Sequence, residues 1–231
     1  MIKKILFLAL FYLPFPIHAM RDAALHNQKL WVKVSQKNNI KLFTRKERGT
    51  KILGFKVEGI LNAPTDSIIA TLRNVELSPE WTPGLITKIT LSEISEEEAI
   101  TYSLNDMPWP ASDRELVLHN KLYLDTKKKL LYVISKSIDH KLKPKGKKYV
   151  RAHIGYSNMG VRPISKHKTY FEWTIFVDPK GWIPAFLVNF YQKSFPFKFL
   201  KYLEKRANNK VLPLKPGLQK RLKELRNLID K

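Results

Sequence analysis

Apolar and polar residues alternate with a period of two over 40–44, 51–60, 85–93, 99–105, 115–124, 130–138, 149–156 and 168–177. This pattern predicts eight strands. A period near 3.6 appears in three other places before the C-terminal tail. Residues 21–37 carry Leu25, Leu30, Trp31 and Val34 at helical spacing, and Ala63-Pro64-Thr65-Asp66 opens a helix that turns Ile68, Ile69 and Leu72 inward. The third helix covers 185–206. Turn residues separate the strands at Glu47-Arg48-Gly49, Glu96-Glu97-Glu98 and Asp125-Thr126-Lys127-Lys128, while two proline loops carry Trp81 and Trp109. The order helix, two strands, helix, six strands, helix predicts an antiparallel α+β sheet and not βαβ winding. No repeat is visible.

The third helix follows a turn, Asp178-Pro-Lys-Gly-Trp-Ile-Pro184, and contains Phe186, Phe190, Phe195, Phe197, Phe199 and Tyr202. That is more apolar bulk than one amphipathic helix needs to close a core. Laid across a concave sheet, such a helix encloses an apolar cavity. Beyond Asn208, residues 211–217 read as a tether. Leu218, Leu222, Leu225 and Ile229 then share one helical face, with Lys220, Arg221, Lys223 and Arg226 largely elsewhere. This basic amphipathic helix either lies on an anionic bilayer or packs back onto the domain.

The N-terminus adds an address. Met1-Ile-Lys-Lys, an apolar run over 5–17 and His18-Ala19 have the layout of a secretory signal peptide cleaved after Ala19. The run is shorter than the roughly 20 residues of a spanning helix, and it holds Pro14 and Pro16. The expected organisation is a signal peptide (1–19), one domain (20–208) and a basic tail (209–231), in a bacterial periplasm or secreted fraction. Absence of cysteine excludes disulfides, thiol nucleophiles and thiolate metal sites.

The net charge is +22, or +20 once Lys3 and Lys4 leave with the signal peptide. One basic cluster is Lys141, Lys143, Lys145, Lys147, Lys148 and Arg151. Another is 198–231, with eleven Lys/Arg against three acids. These are either solvated surface or contacts for an anionic membrane, through lipid head groups or lipopolysaccharide phosphates. Nucleic acid is a poor partner for an exported chain, and no motif for it appears.

Ala63-Pro64 opening a long helix, Trp81 after it, the proline loop leading to Arg114-Glu115, the run 169–177 closing with Asp178-Pro-Lys-Gly-Trp-Ile-Pro184, and Asn189 in the last helix come in a telling order. Together they resemble the START (steroidogenic-acute-regulatory-related lipid transfer) domain family, over about residues 25–207. The chain departs from the family at Glu115, where Asp is usual. The resemblance implies a helix-grip fold, a curved antiparallel sheet wrapped around a long C-terminal helix. It also implies a tunnel that takes a lipid, sterol or other apolar molecule. The chain is expected to act as a monomer without a cofactor.

Trp109, Tyr156, Met159, Trp173, Phe186, Leu187 and Phe190 are candidate walls of that tunnel, each of them equally suited to an ordinary core. Arg114 either meets a ligand head group or forms a structural ion pair with Glu115 or another acid. Membrane contact is expected from Lys143, Lys145, Lys147, Lys148, Lys220, Arg221 and Lys223. An enzyme is the alternative, with His153 or Asp106 as base. The six histidines show no metal-ligand spacing, and no Gly-x-Ser-x-Gly elbow or phosphate-binding glycine loop is present.

Overall fold

Residues 30–210 and 212–230 are described by a computed structural model. The expected signal peptide and the first part of the helix expected over 21–37 lie outside these residues. The strands are β1 (Val32–Lys37), β2 (Ile40–Lys46), β3 (Leu53–Leu61), β4 (Leu85–Ser95), β5 (Glu98–Asn105), β6 (Arg114–Asp125), β7 (Leu130–Ser137), β8 (Val150–Arg151), β9 (His153–Ser165) and β10 (Lys168–Asp178). They form one sheet in the order β1-β2-β3-β10-β9-β7-β6-β5-β4, antiparallel throughout, with β8 beside β6 in parallel. Helices α1 (Thr65–Arg73), α2 (Ala185–Asn209) and α3 (Pro216–Ile229) complete the described elements together with a short 3₁₀ turn at Ser78–Glu80. A curved antiparallel sheet with a long helix near the C-terminus is the expected architecture.

Cross-strand register shows which side chains share the face under the helices. One row runs Leu124, Leu131, Val161, Phe171, and the next runs Leu122, Val133, Met159, Trp173, Val57, Leu42. The first row is dry, since Leu131, Val161 and Phe171 are essentially inaccessible. Leu200 and Leu203 of α2 and Leu218, Leu222 and Leu225 of α3 are buried in this same core. Of the two readings left open for the basic tail helix, the structure takes the packed one. Salt bridges fix it there. Arg221 Nε lies 2.9 and 3.0 Å from the two carboxylate oxygens of Glu97, and Arg226 and Lys215 pair with Asp66 and Glu93.

Two expectations change. Residues 32–37, expected within a helix, form edge strand β1, with Val32 opposite Thr44 and Lys37 opposite Ile40. Val32 and Val34 are β-branched and β2 offers an unpaired ladder, so tertiary pairing overrides a weak helical period. The strand expected over 149–156 is two strands, β8 and a β9 that continues to Ser165. Asn158, Met159 and Gly160 weaken its pattern. Gly160 is required there, because a Cβ would lie 2.6 Å from the Tyr132 ring.

Candidate functional site

One end of the sheet differs from the closed end held by α3. Here the β5–β6 loop, the β10–α2 loop, the start of β4 and the first turns of α2 converge. Arg114 is the fastener. Its Nε donates to Pro179 O (3.0 Å) and its Nη2 to Lys180 O (2.9 Å), while Nη1 donates to Ser112 O. The guanidinium is buried, which depresses its pKa, and three carbonyls occupy its donors. Arg114 therefore ties two loops together. Neither the head-group contact nor the ion pair with Glu115 describes it, since Glu115 pairs with Arg151 at 2.9 Å. Gly181, at φ +64°, lets the β10–α2 loop turn back beside Arg114.

Around this fastener the large apolar side chains face outward. Trp109 is 92% exposed, Trp182 79%, Phe186 70% and Phe190 74%. Leu187 is exposed as well. This corrects the expectation that Trp109, Phe186, Leu187 and Phe190 face inward. The helical period of α2 presents Val188, Phe199, Leu200 and Leu203 to the core, and the surplus aromatic residues form an exposed rim. Asn189 holds the rim end of α2 down by accepting from Leu53 N (3.1 Å) and donating to Lys51 O (3.2 Å). Further along, Pro196 removes one rung of the α2 ladder.

Beneath α2 an aromatic file runs inward. Tyr191, Phe195 and Phe199 stack at centroid spacings of 5.7 and 5.9 Å, and Trp173 and Trp81 lie 5.1 and 5.3 Å from Phe199. Trp173 and its cross-strand neighbour Met159 thus share the helix-covered face. Tyr156 does not. It packs on the opposite face with Phe176, and its hydroxyl donates to Glu47 at 2.6 Å while accepting from Arg45 at 3.1 Å. The bulge at the start of β9 shifts the register there.

A polar band crosses the covered face. Asn120 Nδ2 donates to Thr101 Oγ1 (3.0 Å), Ser135 Oγ donates to Asn120 Oδ1 (2.8 Å), and Trp173 Nε1 donates to Ser157 Oγ (3.0 Å). Ser103 and Lys88 face each other across β4 and β5, one row nearer the rim. Helix α2 packs mainly on α1, β2 and β3. Leu85, Lys88, Thr90, Leu116 and Leu118 on the β4–β6 side remain half-buried. Sequence reasoning missed this band. Small polar residues recur at alternate positions of adjacent strands, but their common face follows only from the register.

The expected membrane contacts separate. Lys143 lies 4.2 Å above the Tyr102 ring and Lys148 5.1 Å above Tyr149, in a loop folded over the far face of the sheet. Lys145 and Lys147 are exposed. This loop adjoins the rim, because Val150 lies against Gly181. Lys220 and Lys223 are exposed on α3, at the Glu97 end of β5, whereas the rim adjoins Asn105 at the other. Eight residues of strand, roughly 25 Å, part the two groups. Arg221 is held by Glu97 and Glu224 and is not a free cation. His153 and Asp106 are both exposed. Among the described residues no three His, Asp or Glu side chains gather as a metal site.

A family model described as START domain matches residues 18–211. The mitochondrial steroidogenic acute regulatory protein of Salvelinus fontinalis is 27% identical over 164 residues, covering 68% of this chain and 56% of that protein. The chain spans about half the length of the curated relatives of this kind. A STAR-related lipid transfer protein fragment from Xanthomonas axonopodis has a similar structure, with TM-score 0.68 and 23% identity over 78% of this chain and 99% of that one. Human StAR-related lipid transfer protein 5 gives TM-score 0.74 at 15% identity, over 83% and 94%. At such identities the likeness to these structures shows the fold.

Proposed function

The chain belongs to the START domain family, whose members generally bind and transfer lipids or sterols, and from that premise we propose that it is a non-enzymatic carrier of a hydrophobic molecule. The cargo lies between α2 and the β4–β6 side of the sheet, and it enters and leaves at the aromatic rim. The observation that carries this reading is the rim itself: four large, exposed aromatic side chains around the converging loops, beside a half-buried sheet face. Soluble surfaces rarely gather so much aromatic area without a use for it. Tryptophan and phenylalanine suit the boundary between head groups and acyl chains.

Exchange proceeds by lifting the rim end of α2, which Asn189 restrains and Pro196 allows to bend. Lys145 and Lys147 steer the approach to an anionic membrane. Affinity comes from burying the cargo's methylenes, at about 0.8 kcal/mol each. The layout of residues 1–19 supports action outside the cytoplasm, in a bacterial periplasm or as a secreted protein.

A transfer assay tests this reading, with a pyrene-labelled phospholipid moving from donor to acceptor vesicles. The two Asn189 hydrogen bonds are worth roughly 1–1.5 kcal/mol together. Asn189→Ala is therefore expected to accelerate transfer about five- to tenfold at unchanged secondary structure. Slower transfer by this variant would contradict gating by α2. No transfer of any apolar probe by the wild-type chain would contradict the carrier.

A further inference from the structure

On strands β4–β6, the sheet face that α2 and α3 cover holds three charged residues among those described: Arg114, Glu93 and Lys88. Arg114 spends its donors on three carbonyls. Glu93 lies at the edge and takes Arg73 and Lys215. Lys88 has neither arrangement. It stands opposite Ser103 in the register, half-buried, and no described carboxylate forms a salt bridge with it. A half-buried ammonium with no carboxylate beside it carries a desolvation cost, and such costs persist where a ligand repays them. Burial, with the neighbouring Arg73 charge second, pushes its pKa down to about 8.

The surroundings offer room and complementary groups. Thr90, two positions along β4, lines a cleft of about 280 Å³ with Ala70, Leu212 and Leu218 and with the Arg73, Glu93 and Lys215 charges; Lys88 lies next to this cleft in the strand and not in its wall. In the register Ser103 lies opposite Lys88 and Thr101 opposite Thr90, which puts two hydroxyl side chains on the same face of the strand pair. Leu116 and Leu118 follow on β6, and beyond them lies the row of Met159 and Trp173. Polar groups next to an apolar path are the layout for a molecule with one charged end.

We infer that Lys88 is the anchoring cation of the cargo site, and that the cargo is an anionic amphiphile whose carboxylate or phosphate monoester meets the Lys88 amine while its apolar body lies along the β6–β10 rows. This deepens the carrier reading and rests on it. A charge-assisted contact in such a site replaces the missing carboxylate and lifts the cost of burying the ammonium. Lys88 also sits on an edge strand, where an inward charge can serve to discourage pairing with another chain.

Equilibrium binding of three sixteen-carbon probes to the delipidated full chain separates these roles: palmitate, hexadecyl phosphate and hexadecanol. The wild-type chain is expected to prefer one or both acids over the alcohol by at least about tenfold. Lys88→Met should bring that preference close to unity and melt higher than wild type. Lys88→Arg should keep most of the preference, which separates charge from misfolding. Preference for hexadecyl phosphate over palmitate would assign a phosphate head, and the reverse a carboxylate. Equal binding of all three probes by wild type and Lys88→Met overturns the inference and leaves the carrier intact. Self-association of Lys88→Met with undiminished preference for the acids also overturns it, assigning Lys88 to the edge. Failure of all three probes overturns inference and carrier together.

Discussion

Replacing Trp109, Trp182, Phe186 and Phe190 together by alanine is expected to lower vesicle-to-vesicle transfer by two to four powers of ten. Burying one such side chain is worth roughly 1.5–3 kcal/mol. If each recovers half of that at the head-group boundary, the four sum to about 3–6 kcal/mol of membrane partitioning, at roughly 1.4 kcal/mol per power of ten. The four are 70–92% exposed and leave the core of α2 untouched, so the thermal midpoint should hold or rise. Vesicle co-sedimentation and the transfer rate are the readouts. Transfer that survives all four substitutions would remove the rim from the mechanism. Basic surface alone would then have to dock the protein, and raised salt would abolish it.

The second large effect belongs to stability. Leu222→Ala should cost roughly 2–5 kcal/mol, the range for truncating a leucine that leaves a cavity in a packed core. Leu222 is 1% exposed and sits with Leu218, Leu225, Leu200 and Leu203 in the main core. Denaturant unfolding should show one transition at a lower midpoint, because α3 and the sheet share that core. A tail helix lying on a membrane predicts no loss in solution. An early separate transition of α3 would likewise contradict its place in the fold.

Much of this architecture is legible in the sequence because local and global signals agree there. The β2–β3 hairpin and α1 with Ile68 and Ile69 buried follow their periods and turn residues closely, and α2 begins where the Pro/Gly turn before it ends. The failures have physical causes. Ile86 and Ile89 are apolar yet face outward, while Lys88 between them faces in. Three register shifts along β4 and β5 reset the alternation, and a one-residue slip reverses every side chain after it. In α2 the aromatic residues exceed what one face can bury, and sequence alone does not say which are left outside. Arg114 reads as a charge seeking an acid. Its partners are main-chain carbonyls of Ser112, Pro179 and Lys180, which carry no sequence signature. The loops that meet at the rim are 65 or more residues apart in the chain, so the rim exists only once the sheet has closed.

The most direct test of the central claim is native mass spectrometry of the chain purified gently from the compartment where it acts, with solvent extraction of any bound species. A carrier predicts a defined mass excess of lipid size that leaves into organic solvent, with an acidic amphiphile as its content if Lys88 anchors it. A clean unliganded mass that persists after incubation with phospholipid, sterol and fatty-acid vesicles would contradict the account, and would make the half-buried face under α2 part of an ordinary core.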